Sequence, residues 1–166
     1  MDQFNLGVLL LRTVFGVGLA YHGYNKVFGG GGLTGTAGWF GSIGMKWPIW
    51  QARLAAATEI GAGLLFAVGL ATPLAAAGII AVMIVAIIVA HLKNGFFIFA
   101  KDQGWEYCAS IAIAAFVVAM MGAGKYSIDH AIHKDVTSWV GAAIAGGVGI
   151  GGAALQLAVS YRPKKP

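Results

Sequence analysis

Cysteine is almost absent from this chain. Cys108 stands alone, which excludes an internal disulfide and a Cys-x-x-Cys pair for thiol–disulfide exchange, and leaves a small buried thiol as its plain reading. Charge is also scarce: only 10% of the 166 residues are charged and six of them are acidic, far too few to cover a soluble domain. No span carries the paired histidines of a bis-histidyl haem, and His130 and His133 sit too close to an interface to read as metal ligands. The long first loop, Gly29 to Lys46, contains Gly29-Gly30-Gly31-Gly32 but has no strand before it and no Gly-Lys-Ser/Thr after that run, so it reads as a flexible linker, not a phosphate cradle. The first residues lack a basic region and no small-residue cleavage pattern follows, so the first apolar stretch reads as a retained span.

What the chain has in abundance is apolar surface. It is 58% hydrophobic with 26 glycines, and its mean hydropathy is +0.78. This is the composition of an all-α integral membrane protein. Five spans are expected, over residues 4–21, 49–70, 74–91, 105–121 and 138–161, each near the ~20 residues that cross a ~30 Å hydrocarbon core. Trp47, Pro48 and Trp50 suit an interfacial belt. Thr72 and Pro73 fit an N-cap followed by proline at the first helical position. Residues 127–134 fit one or two interfacial turns with Ile128 and Ile132 toward lipid, and Gly147 and Gly151 form a GxxxG pair in the last span. Net charge is +5 with a pI near 9.5, but the basic residues flank spans and do not form a nucleic-acid patch. Lys26, Lys46, Arg53, Lys93, Lys101, Arg162, Lys164 and Lys165 fall on one side, against Lys125 and Lys134 on the other. The positive-inside rule then places the N-terminus outside and the C-terminus in the cytoplasm.

Arg12 lies near the middle of the first span, where an unanswered charge costs between about 2.5 and 17 kcal/mol. Glu59 is the expected answer. Arg12 is ten residues before His22, and Glu59 is nine residues after Trp50. The two depths are therefore about 15 and about 13.5 Å if His22 and Trp50 mark one face. Such a pair is either a structural lock between spans one and two or a proton-handling or ligand-anchoring group. A second cluster is expected at the cytoplasmic end, where the hairpin topology gathers His22, Lys26, His91, Asn94, Glu106 and Tyr107, with Phe96, Phe97 and Phe28 nearby. Histidine, carboxylate and tyrosine with an apolar slot suit a polar head group held in lipid.

These residues bring a family into view. The sequence resembles the DoxX family of small bacterial and archaeal membrane proteins over about residues 6–129. The resemblance rests on Arg12 in LLLRTVFG, His22-Gly23-x-x-Lys26-x-Phe28-Gly29, Glu59 with Gly61 and Gly63, and Gly69-Leu70-x-Thr72-Pro73. It continues through His91-x-x-Asn94-Gly95-Phe96-Phe97, Glu106-Tyr107 and Gly122-x-Gly124-Lys125-Tyr126-Ser127-Ile128-Asp129. It implies a four-helix membrane unit, residues 1–130, to which residues 131–166 add an interfacial segment, a glycine-rich fifth helix and a basic tail. It also implies a membrane subunit tied to sulfur and oxygen redox chemistry or oxidative-stress defence. Such a subunit has no covalently bound cofactor, takes a quinone or lipid head group at the polar cluster, and has partners such as a superoxide dismutase or a thiosulfate sulfurtransferase. The competing expectation is a non-catalytic anchor or accessory subunit of a larger membrane complex.

Overall fold

The computed structural model describes residues 2–163, and among them the regular structure is helical. The elements are α1 (Gln3–Phe28), α2 (Gly32–Ser42), α3 (Pro48–Val68), α4 (Thr72–Ala86), α5 (Glu106–Met121), α6 (Ile128–Ala131) and α7 (Ser138–Ser160). A π turn (Ile87–His91) and a 3-10 turn (Leu92–Asn94) prolong α4. Three of these helices are long and apolar enough to cross a membrane: Gln3–Phe28, Thr72–Asn94 and Ser138–Ser160. The other two expected spans exist as helices but differ in kind. α3 carries Gln51, Arg53, Thr58 and Glu59, and α5 has 16 residues, about 24 Å at 1.5 Å each. The stretch expected to be a flexible linker contains α2, which lies against α1 and α3.

Helices α1, α3, α4 and α5 close a four-membered ring, each touching the next, and α7 packs along α4 and α5. The core forms where α4 (Ala76, Ile79, Ile80, Met83) meets Phe66, Ile111, Val118 and Ala145. Small residues set the helix register. A Cβ on Gly16 would come within 2.5 Å of the Gly63 carbonyl oxygen, and one on Gly63 within 2.5 Å of that of Gly16, so α1 and α3 meet backbone to backbone. α7 docks in the same manner through Gly141, Ala145, Gly149 and Ala153, all buried and four residues apart. The GxxxG pair read from the sequence, Gly147 and Gly151, faces elsewhere, with nothing within 4 Å of either. A step of two residues turns a helix by about 200°, which places that pair on the far side.

One end of the bundle is tied by polar groups. Asp129 is 3% exposed, and its carboxylate accepts from the amides of Ala71 (2.7 Å) and Thr72 (2.9 Å) and from the Thr72 hydroxyl (2.7 Å). It thereby caps α4 from a distance, satisfying amides that a helix leaves without internal partners. Thr72 was expected to be that cap; instead Ala71 holds the N-cap position and Thr72 donates to Asp129. Arg12, fully buried, donates to the carbonyls of Tyr126 (2.6 Å) and Ala67 (3.2 Å), and its guanidinium stands against Gly69, whose carbonyl accepts from the Asp129 amide at 2.8 Å. The Asn5 side chain accepts from the Lys125 amide at 2.7 Å. The ends of α1, α3, α4 and α5 thus converge on one node. The short α6 keeps Ile128 and Ile132 exposed as expected, while Asp129 turns inward.

Asp129→Ala should cost about 3 kcal/mol, since it strands two amides and removes a buried charge beside Arg12. The thermal midpoint in mild detergent should fall accordingly, and Asp129→Asn, which keeps one acceptor oxygen, should fall less. An unchanged midpoint for the alanine variant would show that the node does not hold the bundle.

Candidate binding cavity

The end opposite the Asp129 node is where the polar residues gather. His22 and Lys26 come from the last turns of α1, Glu59 from α3, His91 from the π turn, and Glu106 and Tyr107 from the first turn of α5. Between them opens a cavity of about 1060 Å³, at the upper end of the range that holds drug-sized or cofactor-sized ligands. His22, Lys26, Glu59, His91, Tyr107 and Cys108 line it, and Trp39 and Phe40 of α2 add an aromatic edge. The π turn of α4 ends at His91 on this wall, a feature that often accompanies functional positions.

The expected Arg12–Glu59 pair is not formed. Glu59, 5% exposed, pairs with Lys26, whose Nζ lies 2.8 and 2.7 Å from the two carboxylate oxygens. The reason is register. Gly23, not the region near Arg12, stands against Ala56 and Glu59, and Gly16 stands against Gly63 and Ala67. His22 is therefore level with Glu59 and not with Trp50. Arg12, ten residues away from His22, lies about 15 Å further along the helix. Lys26 is one turn beyond His22 and reaches Glu59. Among the described residues the one other ion pair is His130–Asp135, at 2.9 Å and more exposed.

The polar cluster divides in two. His22 and Tyr107 stand at the exposed mouth with ring centroids 6.1 Å apart. His91 lines the cavity while its Nδ1 lies 2.8 Å from the Gln103 carbonyl oxygen. A carbonyl only accepts, so Nδ1 carries the proton and Nε2 of the neutral ring is an acceptor. Asn94, Phe96 and Glu106 were expected on the cavity and instead hold the loop over residues 95–105. The Asn94 amide donates to the Asp102 carbonyl at 2.7 Å, Glu106 accepts from the Ile98 amide at 3.0 Å, and Phe96 packs edge-on to Trp105. Phe28 and Phe97 are likewise outside its wall. The loop closes on itself through amide–carbonyl bonds from Trp105 to Gly95 and from Glu106 to Phe96, which draws those side chains into its own support.

Residues missed by the sequence reading include Gln51 and Gln156, whose side chains bond at 2.8 Å between α3 and α7, and Trp39 and Phe40 on α2. The signal for the Lys26–Glu59 pairing was present. Aligning the small residues of α1 (Gly16, Gly23) with those of α3 (Gly63, Ala56) gives the correct offset. The basic residues Lys46, Arg53, Lys93, Lys101 and Arg162 lie toward this end, with Lys46 beside Trp47 and Arg53 over Trp50. Lys164 and Lys165, counted in the charge asymmetry, lie outside the described residues.

A family model described as DoxX matches residues 7–92. Over 94 residues the chain is 38% identical to a Bacillus subtilis (strain 168) protein named "Putative oxidoreductase CatD". That alignment covers 57% of this chain and 66% of the relative, just under two thirds of its length. No solved structure matches.

Lys26→Met leaves the Glu59 charge buried without its partner and should destabilise by about 3 kcal/mol. Adding Glu59→Leu should recover at least half of that loss. A double variant as unstable as the sum of its single changes, measured by thermal denaturation, would show that the two residues are not coupled.

Proposed function

Because the chain belongs to the DoxX family, we propose that this membrane protein is a subunit of a quinone-linked oxidoreductase assembly, with the quinone head group held at the polar end of the cavity. The observation that carries the proposal is the cavity itself: one space joining His22, Tyr107 and the Lys26–Glu59 pair to walls of aliphatic residues. This is the division of chemistry that an amphipathic ligand in a bilayer requires. The name of the Bacillus subtilis relative agrees with an oxidoreductase role.

A bound quinone would supply a two-electron, two-proton couple, with electrons exchanged with a partner redox subunit. The part played by this chain is binding and proton handling. Lys26 Nζ and the His22 ring are donors for a carbonyl oxygen, and the acceptor Nε2 of His91 orients a hydroxyl. Glu59 keeps Lys26 in place and shares its proton, and Tyr107 offers a hydroxyl and an aromatic edge at the mouth. By the family resemblance the soluble partner is a superoxide dismutase or a sulfurtransferase. By the positive-inside rule, the basic residues toward the cavity end support a cytoplasmic position for that end. A second reading, a non-catalytic anchor of a larger complex, draws on the exposed face of α7 around Gly147 and Gly151, where a Cβ on either glycine would meet none of the described residues outside its own helix within 4 Å.

Quinone extracted from the protein purified in mild detergent tests the first reading. The unaltered protein should carry a substantial fraction of one equivalent. His22→Leu, at the exposed mouth, should retain at least about tenfold less, a difference of 1.4 kcal/mol, with its thermal midpoint unchanged. Protein free of quinone, or equal quinone in both forms, would move the anchor reading ahead. Orientation has its own test. Gly30 is exposed with open space around it, so Gly30→Cys in a Cys108→Ala background should resist a membrane-impermeant thiol reagent in intact cells and react after lysis. Labelling of sealed cells would invert the assignment.

A further inference from the structure

The cavity extends well beyond the polar cluster, and its far wall belongs to α7, which lies outside the family match at residues 7–92. Val148, Gly152, Leu155, Gln156, Val159 and Ser160 of α7 line it. The facing wall is α4, from Leu74 through Ala77, Gly78, Ala81 and Val85 to Val89. Fifteen residues of helix separate Leu74 from Val89, about 22 Å. The space is therefore a trough along α4, flanked by α3 and α7. Its floor is built of small residues, and a Cβ on Gly152 would meet, among the described residues outside its own helix, only the Ala81 Cβ, at 3.9 Å. Its rims, Leu54, Val148, Leu155 and Val159, are each about half exposed or more, so a chain can enter sideways from lipid. The Gln156 amide donates to the Gln51 side-chain oxygen at 2.8 Å, joining α7 to α3.

We propose that α7 completes a tail groove, so that the ligand of this chain is a quinone carrying a long isoprenoid tail, with α7 setting the tail specificity. The inference rests on the quinone reading and adds the tail site to it. Two features favour this occupant over a phospholipid. The charge of the Lys26 ammonium in the head region is balanced by both oxygens of Glu59, which leaves a third N–H for a neutral carbonyl and no net positive charge for a phosphate. A floor of Ala77, Gly78, Ala81 and Gly152 leaves room for the methyl branches of isoprene units.

The test uses the full chain in detergent micelles and reads quenching of tryptophan fluorescence, since Trp39 lines the cavity. The probes are a tailless dimethoxy-methyl-benzoquinone and the same head group with a polyprenyl tail. The tailed probe should bind the unaltered protein at least about tenfold more tightly. Gly152→Phe, which fills the groove, should remove that advantage and leave the tailless probe unaffected. Gly147→Phe, on the exposed side of the same helix, should change neither. Equal affinity of the two probes for the unaltered protein, equal weakening of both by Gly152→Phe, or no effect of that change would overturn the tail groove while leaving head-group binding intact. Displacement of the tailed probe by an equal concentration of phosphatidylglycerol would overturn it in favour of a phospholipid. Failure of both probes to bind would end the quinone reading and the groove with it.

Discussion

A guanidinium buried in an apolar bundle must be answered, and the way Arg12 is answered organises this molecule. Its two terminal nitrogens donate to backbone carbonyls, Tyr126 beyond α5 and Ala67 at the end of α3, where the negative end of the α3 dipole favours a cation, while Nε has no partner among the described residues. Asp129, on the other side of Gly69, turns its oxygens to the first amides of α4. One charged group from α1 and one from α6 therefore terminate two other helices, α3 and α4. Unpaired backbone groups at helix ends are costly away from water, so these interactions tie one end of the ring of α1, α3, α4 and α5.

With that end closed, the opposite end carries the cavity. The backbone contact of Gly16 with Gly63 fixes the sliding of α1 against α3 and brings Lys26 to Glu59 in consequence. The pair keeps two charges inside the bundle beside an open space. Around that space α2 and the 95–105 loop form borders, the loop held by Asn94 and Glu106. One end is thus a structural closure and the other a ligand-sized opening bordered by ionisable groups.

The matched stretch, residues 7–92, holds α1 to α4 and with them His22, Lys26, Glu59 and His91. Tyr107 and Cys108 from α5 and the aliphatic wall from α7 come from beyond it. The polar head region thus draws mainly on the matched stretch, and the apolar trough joins α4 from within that stretch to α7 from beyond it. In the proposed reading the first part of the chain sets the head-group chemistry and α7 adjusts what kind of tail accompanies it. α7 itself is held by a row of small side chains against α4 and α5. At its end the Lys46 amide donates to the Ser160 carbonyl at 2.7 Å and the Arg162 amide to that of Gly44 at 2.8 Å.

By itself the sequence determined the helical membrane class, the five long helices and the gathering of His22, Lys26, His91 and Tyr107 at one end. These follow from composition, apolar run length and the alternation of antiparallel helices, all local properties or simple consequences of chain order. It also showed that Arg12 and Glu59 each need a partner, because burial of a charge is legible from its flanks. Which partner each takes was decided only by the tertiary structure. Axial register between helices depends on backbone contact at Gly16 and Gly63, and a slide of about two turns exchanges Glu59 for two carbonyl oxygens near Arg12. The same holds for α7, where rotation about the helix axis chose Gly141 and Gly149 over Gly147 and Gly151. It holds as well for Asp129, whose role as a cap for α4 joins residues 57 positions apart that no local pattern connects.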